Sequence, residues 1–244
     1  MKVNTIYNGD AYELIKQIPD KSIDLIVTDP PYLFKNLSGK SGIFKDRKRT
    51  YIEEIKEKGL EKGIDYSILN DFCRVLKKIN IYIWCNKEQL LDYLKFFVEE
   101  KKCNFEILIW AKTNPPPFSN GHYLKDKEYC LYFWEKNFKF NGKYEDLKTV
   151  YFTGVNQSDK KLYNHPTIKP LSIIENLIKN SSVEGGVVLD PFLGSGTTAV
   201  ACKELNRQYI GFEIDKKYYN IANDRLKGIN QLIKAKGYEQ IKLF

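Results

Sequence analysis

Apolar positions along this chain fall into two alternating kinds of grouping. Short continuous runs such as Ile23-Asp24-Leu25-Ile26-Val27-Thr28, Gly186-Val187-Val188-Leu189 and Tyr209-Ile210-Gly211-Phe212 predict buried strands, because β-branched and aliphatic residues dominate them. Stretches with apolar residues three and four apart predict helices: Ala11-Tyr12-Glu13-Leu14-Ile15, Leu171 to Ile178, and Ala199-Val200-Ala201-Cys202 with Leu205. Strand and helix patterns that alternate over 244 residues favour one α/β domain, a mostly parallel sheet with helices on both faces. No run is long enough to span a bilayer, and the first residues lack the apolar stretch of a signal peptide. A soluble, cytoplasmic protein is expected.

The first strand run ends in Asp29-Pro30-Pro31-Tyr32. Two prolines forbid a ladder or helix there, so the four residues project from the strand's carboxyl end. They offer a carboxylate, a rigid carbonyl and an aromatic face, which suits a planar base bearing an exocyclic amine. Such an amine has its lone pair delocalised into the ring, and acceptors must draw the nitrogen toward tetrahedral geometry before it attacks an electrophile. Asp29 and the Pro30 carbonyl can accept its two N–H bonds, while Tyr32 can stack on the base. Asp-Pro-Pro is also ordinary turn chemistry, so alone it leaves a plain strand-to-loop turn open.

A second unit runs from a strand through Asp190-Pro191-Phe192-Leu193-Gly194-Ser195-Gly196-Thr197-Thr198 into a helix. Gly194 and Gly196 let the backbone approach a ligand, and Thr197 and Thr198 are placed to cap the helix. The next strand ends in Glu213-Ile214-Asp215, a carboxylate about twenty residues past the loop, where a ribose diol is held in dinucleotide-binding folds. The third glycine of the dinucleotide fingerprint is missing, and no Gly-Lys-Ser/Thr is present. A nucleoside cofactor without a pyrophosphate fits better. S-adenosylmethionine is such a cofactor, with a ribose for Glu213 and an ammonium for Asp190; the alternatives are a solvated carboxylate and a capping acid.

With these motifs on the page, the chain resembles the DNA amino-methyltransferases that modify adenine N6 or cytosine N4. The resemblance rests on Asp29-Pro30-Pro31-Tyr32, on the stretch Asp190 to Thr198, and on His165-Pro166-Thr167-Ile168-Lys169-Pro170. Lesser pieces are Asn8-Gly9-Asp10, Ile109 to Pro115, and Asp126-Lys127-Glu128-Tyr129. Catalytic motif first and cofactor motif last is the circularly permuted order of the family's β class. The resemblance spans nearly the whole chain and implies a Rossmann-like S-adenosylmethionine-dependent methyltransferase fold.

It implies that Asp29, Pro30, Pro31 and Tyr32 form the amine-methylating pocket. Asp190, Pro191, Phe192, Gly194, Ser195, Gly196 and Thr197 would line the cofactor, with Glu213 and Asp215 at its ribose. Asp10 matches a position that reaches the cofactor adenine, and Thr167 with Lys169 one that approaches its carboxylate. Asp10 serves equally as the N-cap of the following helix, and Lys169 as a solvated lysine. The segment 136–164, rich in lysine and aromatics around the hairpin signal Asn141-Gly142, falls where the family carries target recognition. The alternative there is a β-extension packing on the core.

Charge changes the picture locally. The net charge of +8 is mostly lysine, which base-composition bias also produces. Its distribution says more: Lys35, Lys40, Lys45, Arg47, Lys48 and Arg49 crowd the segment just after the catalytic turn. With Ser38-Gly39 and Ser41-Gly42 between them, residues 33–65 read as a mobile basic loop able to close on double-stranded DNA, or as a solvated insertion. Five cysteines without Cys-x-x-Cys spacing read as core residues, and two scattered histidines argue against a metal site or a histidine-assisted nucleophile.

The expected activity is therefore direct methyl transfer to an extruded adenine N6 in double-stranded DNA. An initial Asp in the turn favours adenine in the family and an initial Ser cytosine, so cytosine N4 stands as the alternative. RNA or protein-glutamine methylation, whose turn commonly begins with Asn, fits less well. A catalytically silent subunit is disfavoured by two unbroken motifs, and a homodimer, as formed by many β-class relatives, is left open.

Overall fold

Eight strands form one sheet in the computed structural model, which describes residues 1–34, 62–115, 123–155 and 168–228. They are β1 (Thr5–Asn8), β2 (Leu25–Thr28), β3 (Asn80–Cys85), β4 (Asn104–Lys112), β5 (Lys127–Trp134), β6 (Val150–Thr153), β7 (Val187–Asp190) and β8 (Gln208–Glu213). Their spatial order is β1-β8-β7-β2-β3-β5-β4-β6. Only β5 runs against the others, pairing antiparallel with β3 and β4. β2 lies between β7 and β3, with Leu25 opposite Val188 and Ile26 opposite Ile81.

The strand order reverses between β7 and β2. From β7 the chain builds outward through β8, and from β2 it builds the other way through β3. A ligand crevice forms outside the carboxyl ends of strands at such a switch point. The glycine loop and the Asp-Pro-Pro-Tyr turn both leave their strands there, although Thr28 and Asp190 are 162 positions apart.

Period-two alternation sends β2 side chains to opposite faces. Ile26 joins a core with Ile81, Ile83, Phe133 and Leu189, covered by α1 (Ala11–Leu14), α2 (Ile68–Val75) and the segment around Tyr93 and Phe97. Leu25 and Val27 face Tyr82, Trp84 and Val188, under α4 (Leu171–Ser181) and α5 (Thr197–Glu204). α3 (Leu90–Leu94) brings Tyr93 into the first of these cores, and α6 (Lys216–Leu226) packs Ala222 on Ala199 and Ile6. Phe72 and Phe97 are fully buried, each worth about 1.5–3 kcal/mol in transfer from water.

The cysteines do serve the core: Cys85, Cys103, Cys130 and Cys202 are buried, Cys73 is half-buried, and all five are free. The expected reversal at Asn141-Gly142 is not formed. Instead Asn141 N–H donates to Asn180 O at 2.8 Å, a short helical turn covers Tyr144–Asp146, and β6 adds in parallel to β4. Phe138 and Phe140 pack on Tyr132, so the aromatics of this stretch hold it to the sheet. The six basic residues between Lys35 and Arg49, together with Thr167, lie outside the described residues.

Candidate active site

Asp190 ends β7 and is only 4% exposed. Its Oδ1 accepts from the Thr28 hydroxyl at 3.0 Å and from Phe192 N–H at 3.1 Å, and its Oδ2 from the Thr198 hydroxyl at 2.6 Å. One carboxylate thus ties the glycine loop to the strand that carries Asp29. Burial raises its pKa to about 7, against the pull of those three donors.

The loop then passes through Gly194 and Gly196, both at positive φ. A side chain at Gly196 would meet the Ala222 Cβ at 2.8 Å, so close packing on α6 as well as backbone angle demands glycine. Gly196 occupies the N-cap of α5, and neither Thr197 nor Thr198 caps it. Those hydroxyls work across the loop instead: Thr198 binds Asp190, and Thr197 accepts from Arg225, which also donates to Ser195 O at 2.7 Å. Pro191 is buried at the loop's start.

Glu213 ends β8. Its Oε2 accepts from Gly194 N–H at 2.8 Å and its Oε1 from Asp215 N–H at 2.7 Å. Burial raises this carboxyl too, to about 7, with the two backbone donors opposing. Asp215 caps α6 by accepting from Lys217 N–H, and Asp10 caps α1 by accepting from Tyr12 N–H. Asn8 pairs with Glu213 across β1 and β8, which brings Asp10 to this end. Tyr12 and Phe192 meet edge to face with centroids 6.3 Å apart, an aromatic wall on the same side.

At the end of β2 the arrangement is different in kind. Lys169, 7% exposed, donates to Asp29 Oδ2 at 2.5 Å and to the Tyr32 hydroxyl at 3.2 Å. It is also 3.1 Å from Glu128 Oε2, and Lys112 closes the row at 2.6 Å from Glu128 Oε1. β5 enters the sheet at this edge because it runs antiparallel, so its second residue, Glu128, points its charge at the turn. Asp29 Oδ1 is buried and has no hydrogen-bond partner among the described residues.

Burial opposes the Lys169 charge, yet Asp29 and Glu128 outweigh it and raise its pKa. Burial likewise raises Asp29, partly offset by Lys169, whereas Glu128 is lowered to about 2 because Lys169 and Lys112 overcome its burial. The ammonium lies between two carboxylates at contact distance, an arrangement that favours the charged form of all three.

A polar clamp fixes the backbone of the turn. Gln89 Nε2 donates to Pro31 O at 3.1 Å, and Asn86 Nδ2 to Leu33 O at 2.5 Å. The sequence offered no signal for Asn86, Gln89 or Arg225. Glu128 and Lys112 lay inside stretches that carried the resemblance but had no role there, and Lys169, grouped with the cofactor, stands against Asp29.

A cavity of about 660 Å³ lies at the opposite ends of the strands, lined by Asn4, Lys203, Arg207 and Gln208 among others, and contains none of these residues. The chemistry is at the carboxyl edge. Two raised carboxyls in a glycine-lined crevice fit a ligand that brings a cation and a diol, as S-adenosylmethionine does.

The family model described as DNA methylase, for the N6/N4 group, matches residues 23–224. The Type II methyltransferase M2.LlaDCHI of Lactococcus lactis subsp. cremoris is 30% identical over 248 residues, covering 91% of this chain and 88% of that protein. M.HinfI of Haemophilus influenzae is 32% identical over 257 residues, covering 93% and 69%. Among solved structures, the M1.HpyAVI complex with S-adenosylmethionine superposes with a TM-score of 0.65 at 26% identity, covering 91% of this chain and 98% of that one. The PvuII cytosine-N4-specific DNA methyltransferase gives 0.66 at 18% identity over 91% and 85%, a likeness of fold.

Proposed function

This chain belongs to the N6/N4 DNA methylase family, an S-adenosylmethionine-dependent group of DNA methyltransferases, and we propose that its own acceptor is adenine N6 in double-stranded DNA, extruded from the helix. The observation that carries this reading is Asp29 Oδ1, a buried acceptor with no partner among the described residues, at the end of β2 beside a rigid Pro30 carbonyl. An exocyclic amine supplies the missing donor. In the family an initial Asp in the turn favours adenine over cytosine.

The cofactor, when bound, supplies an electrophilic methyl group on a sulfonium. Glu213 would accept its ribose hydroxyls, and the one Asp190 lone pair not yet engaged would meet its ammonium. The Gly194–Gly196 backbone would pass close to its methionine end, and Asp10 would lie near its adenine. On the acceptor side Asp29 Oδ1 and Pro30 O hold the two amine N–H bonds. Tyr32 stacks on the base and offsets part of the few kcal/mol needed for extrusion. Lys169 occupies Asp29 Oδ2, so a single oxygen of that carboxylate is presented to the amine. The segments at 33–65 and 136–164 would supply phosphate contacts and target recognition within this one domain.

Pairing of two copies is supported by Val150 and Phe152, 37% and 74% exposed on one face of the edge strand β6. Sedimentation of the purified protein decides it. Action in the cytoplasm, where the substrate DNA lies, accords with there being no helix long and apolar enough to cross a membrane among the described residues.

The test is transfer of label from S-adenosylmethionine to unmethylated genomic DNA, followed by nucleoside analysis. N6-methyladenine is expected. N4-methylcytosine would keep the mechanism and overturn the base, and label on neither would overturn DNA as the substrate.

A further inference from the structure

The row Asp29, Lys169, Glu128, Lys112 contains more charge than a hydrogen-bonded turn needs. Lys169 alone would suffice to fix Asp29 Oδ2. It would also leave the acceptor site neutral, Asp29 and Lys169 cancelling. During transfer the amine lone pair forms the new N–C bond as the S–C bond breaks and its electron pair stays on sulfur. Positive charge therefore moves onto the amine nitrogen, which then releases one proton, first to Asp29 Oδ1 and onward to water. A pair beside that nitrogen whose charges cancel stabilises the developing charge poorly; Glu128 offsets Lys169, and its own counter-ion Lys112 lies beyond it in the row, so Asp29 would keep a negative field at the amine although the four charges sum to zero.

We propose that Glu128 is a positioning residue for methyl transfer, one that balances Lys169 so that the Asp29 carboxylate keeps an effective negative charge at the amine. Three observations converge. Glu128 Oε2 is 3.1 Å from the Lys169 ammonium and 3.5 Å from the Tyr32 hydroxyl, so one oxygen steadies the group behind Asp29 and the group meant to stack on the base. The side chains of Lys169, Lys112, Glu128 and Asp29 are 6%, 14%, 22% and 26% exposed, where solvent screens them weakly. And β5, which carries Glu128, is the strand whose reversal brings its amino end to the catalytic edge.

This inference rests on the amine-transfer reading above and is tested separately from it. Glu128→Gln keeps shape and hydrogen bonding and removes the charge. With saturating DNA and S-adenosylmethionine, kcat is expected to fall about 30- to 100-fold, while cofactor affinity stays within about threefold because Glu128 is not in the cofactor loop. Glu128→Asp, which retains the charge, should recover part of the loss. Lys112→Met removes the cation that offsets Glu128, so kcat should hold or rise up to a few-fold; a fall in kcat would overturn the electrostatic role, which decides the matter if Glu128→Gln fails to fold. In the double variant with Lys169→Met the Glu128→Gln loss should shrink, since the charge to be balanced is gone. Wild-type kcat in Glu128→Gln, a loss confined to the KM for cofactor, or full additivity with Lys169→Met would overturn the role. Absence of methyl transfer by the wild-type protein would instead overturn the amine-transfer reading itself.

Discussion

The two halves of the crevice are held in opposite ways. At the end of β7 the cofactor loop is fastened by its own neighbours: Asp190 binds Phe192 two positions on and Thr198 eight on, and Glu213 binds Gly194 nineteen back. At the end of β2 the turn is held from a distance, by Gln89 at 58 positions, Glu128 at 96 and Lys169 at 140. The cofactor half is built of backbone donors and glycine, the acceptor half of side-chain charges. A site that grips a fixed cofactor is served by rigid, local geometry. A site that waits for a base to arrive needs one acceptor oxygen left open, and here side chains distant along the chain, Lys169 and behind it Glu128, hold the other oxygen of Asp29 in place.

The difference is broken most severely at Asp29. Asp29→Ala removes the amine acceptor and leaves Lys169 facing the pocket, so methyl transfer should fall about 10²- to 10³-fold or more. Cofactor affinity, measured by calorimetry, should change less than about threefold because the side-chain hydrogen bond between the two halves, Thr28 to Asp190, does not involve Asp29. Equal losses in transfer and cofactor binding would mean the halves are one unit.

Next in size is Gly196→Ala, which acts on the other half. The new Cβ meets Ala222 at 2.8 Å on a residue at φ 86°, for a cost of about 2–3 kcal/mol. A Tm lower by roughly 5–10 °C and weakened cofactor binding are expected, with any residual transfer recovering at high cofactor concentration. A variant of native Tm would show that the loop relaxes away from α6.

A smaller effect separates backbone placement from charge. Gln89→Ala frees the Pro31 carbonyl without touching the charged row, and kcat should drop about tenfold, less than for Glu128→Gln. A larger loss than Glu128→Gln would make the turn's backbone, rather than its electrostatics, the sensitive element.

The same contrast explains what the sequence revealed. Strands β2, β7 and β8 and helices α4 and α5 were legible because their apolar spacing is local, and so was the cofactor loop with Glu213, nineteen positions past Gly194, whereas its ties to Thr28 and Arg225 were not. The capping of α5 was misread because Thr198 had a better partner in Asp190, visible only once β7 and the helix are folded together. The Asn141-Gly142 turn failed as a hairpin because α4, far along the chain, offered Asn141 a carbonyl. Lys169 was legible as a motif and not as a neighbour of Asp29, since no spacing along one chain predicts which charges a sheet will bring to one edge.

The gentlest probe is pH, and around neutrality it bears most directly on the two raised carboxyls of the cofactor half. Asp190 and Glu213 have pKa values raised to about 7, so between roughly pH 4 and 7 the folded, cofactor-free protein holds protons that the unfolded chain has lost. The folded state binds more protons there, and these two groups make stability fall as pH rises through that window and level off above it. A cofactor that brings an ammonium to Asp190 and hydroxyls to Glu213 favours both carboxylates ionised. Binding should therefore expel protons near pH 7 and strengthen by up to about tenfold per carboxyl from pH 6 to pH 8. Calorimetry in buffers of different ionisation enthalpy measures the release directly. The stabilisation conferred by S-adenosylmethionine should be larger at pH 8 than at pH 6, while Asp29→Ala, altering the charged half, should leave that trend in place. Proton uptake on binding, or a trend abolished by Asp29→Ala, would mean that the row around Lys169 governs the cofactor site as well and that the two halves are not independently built.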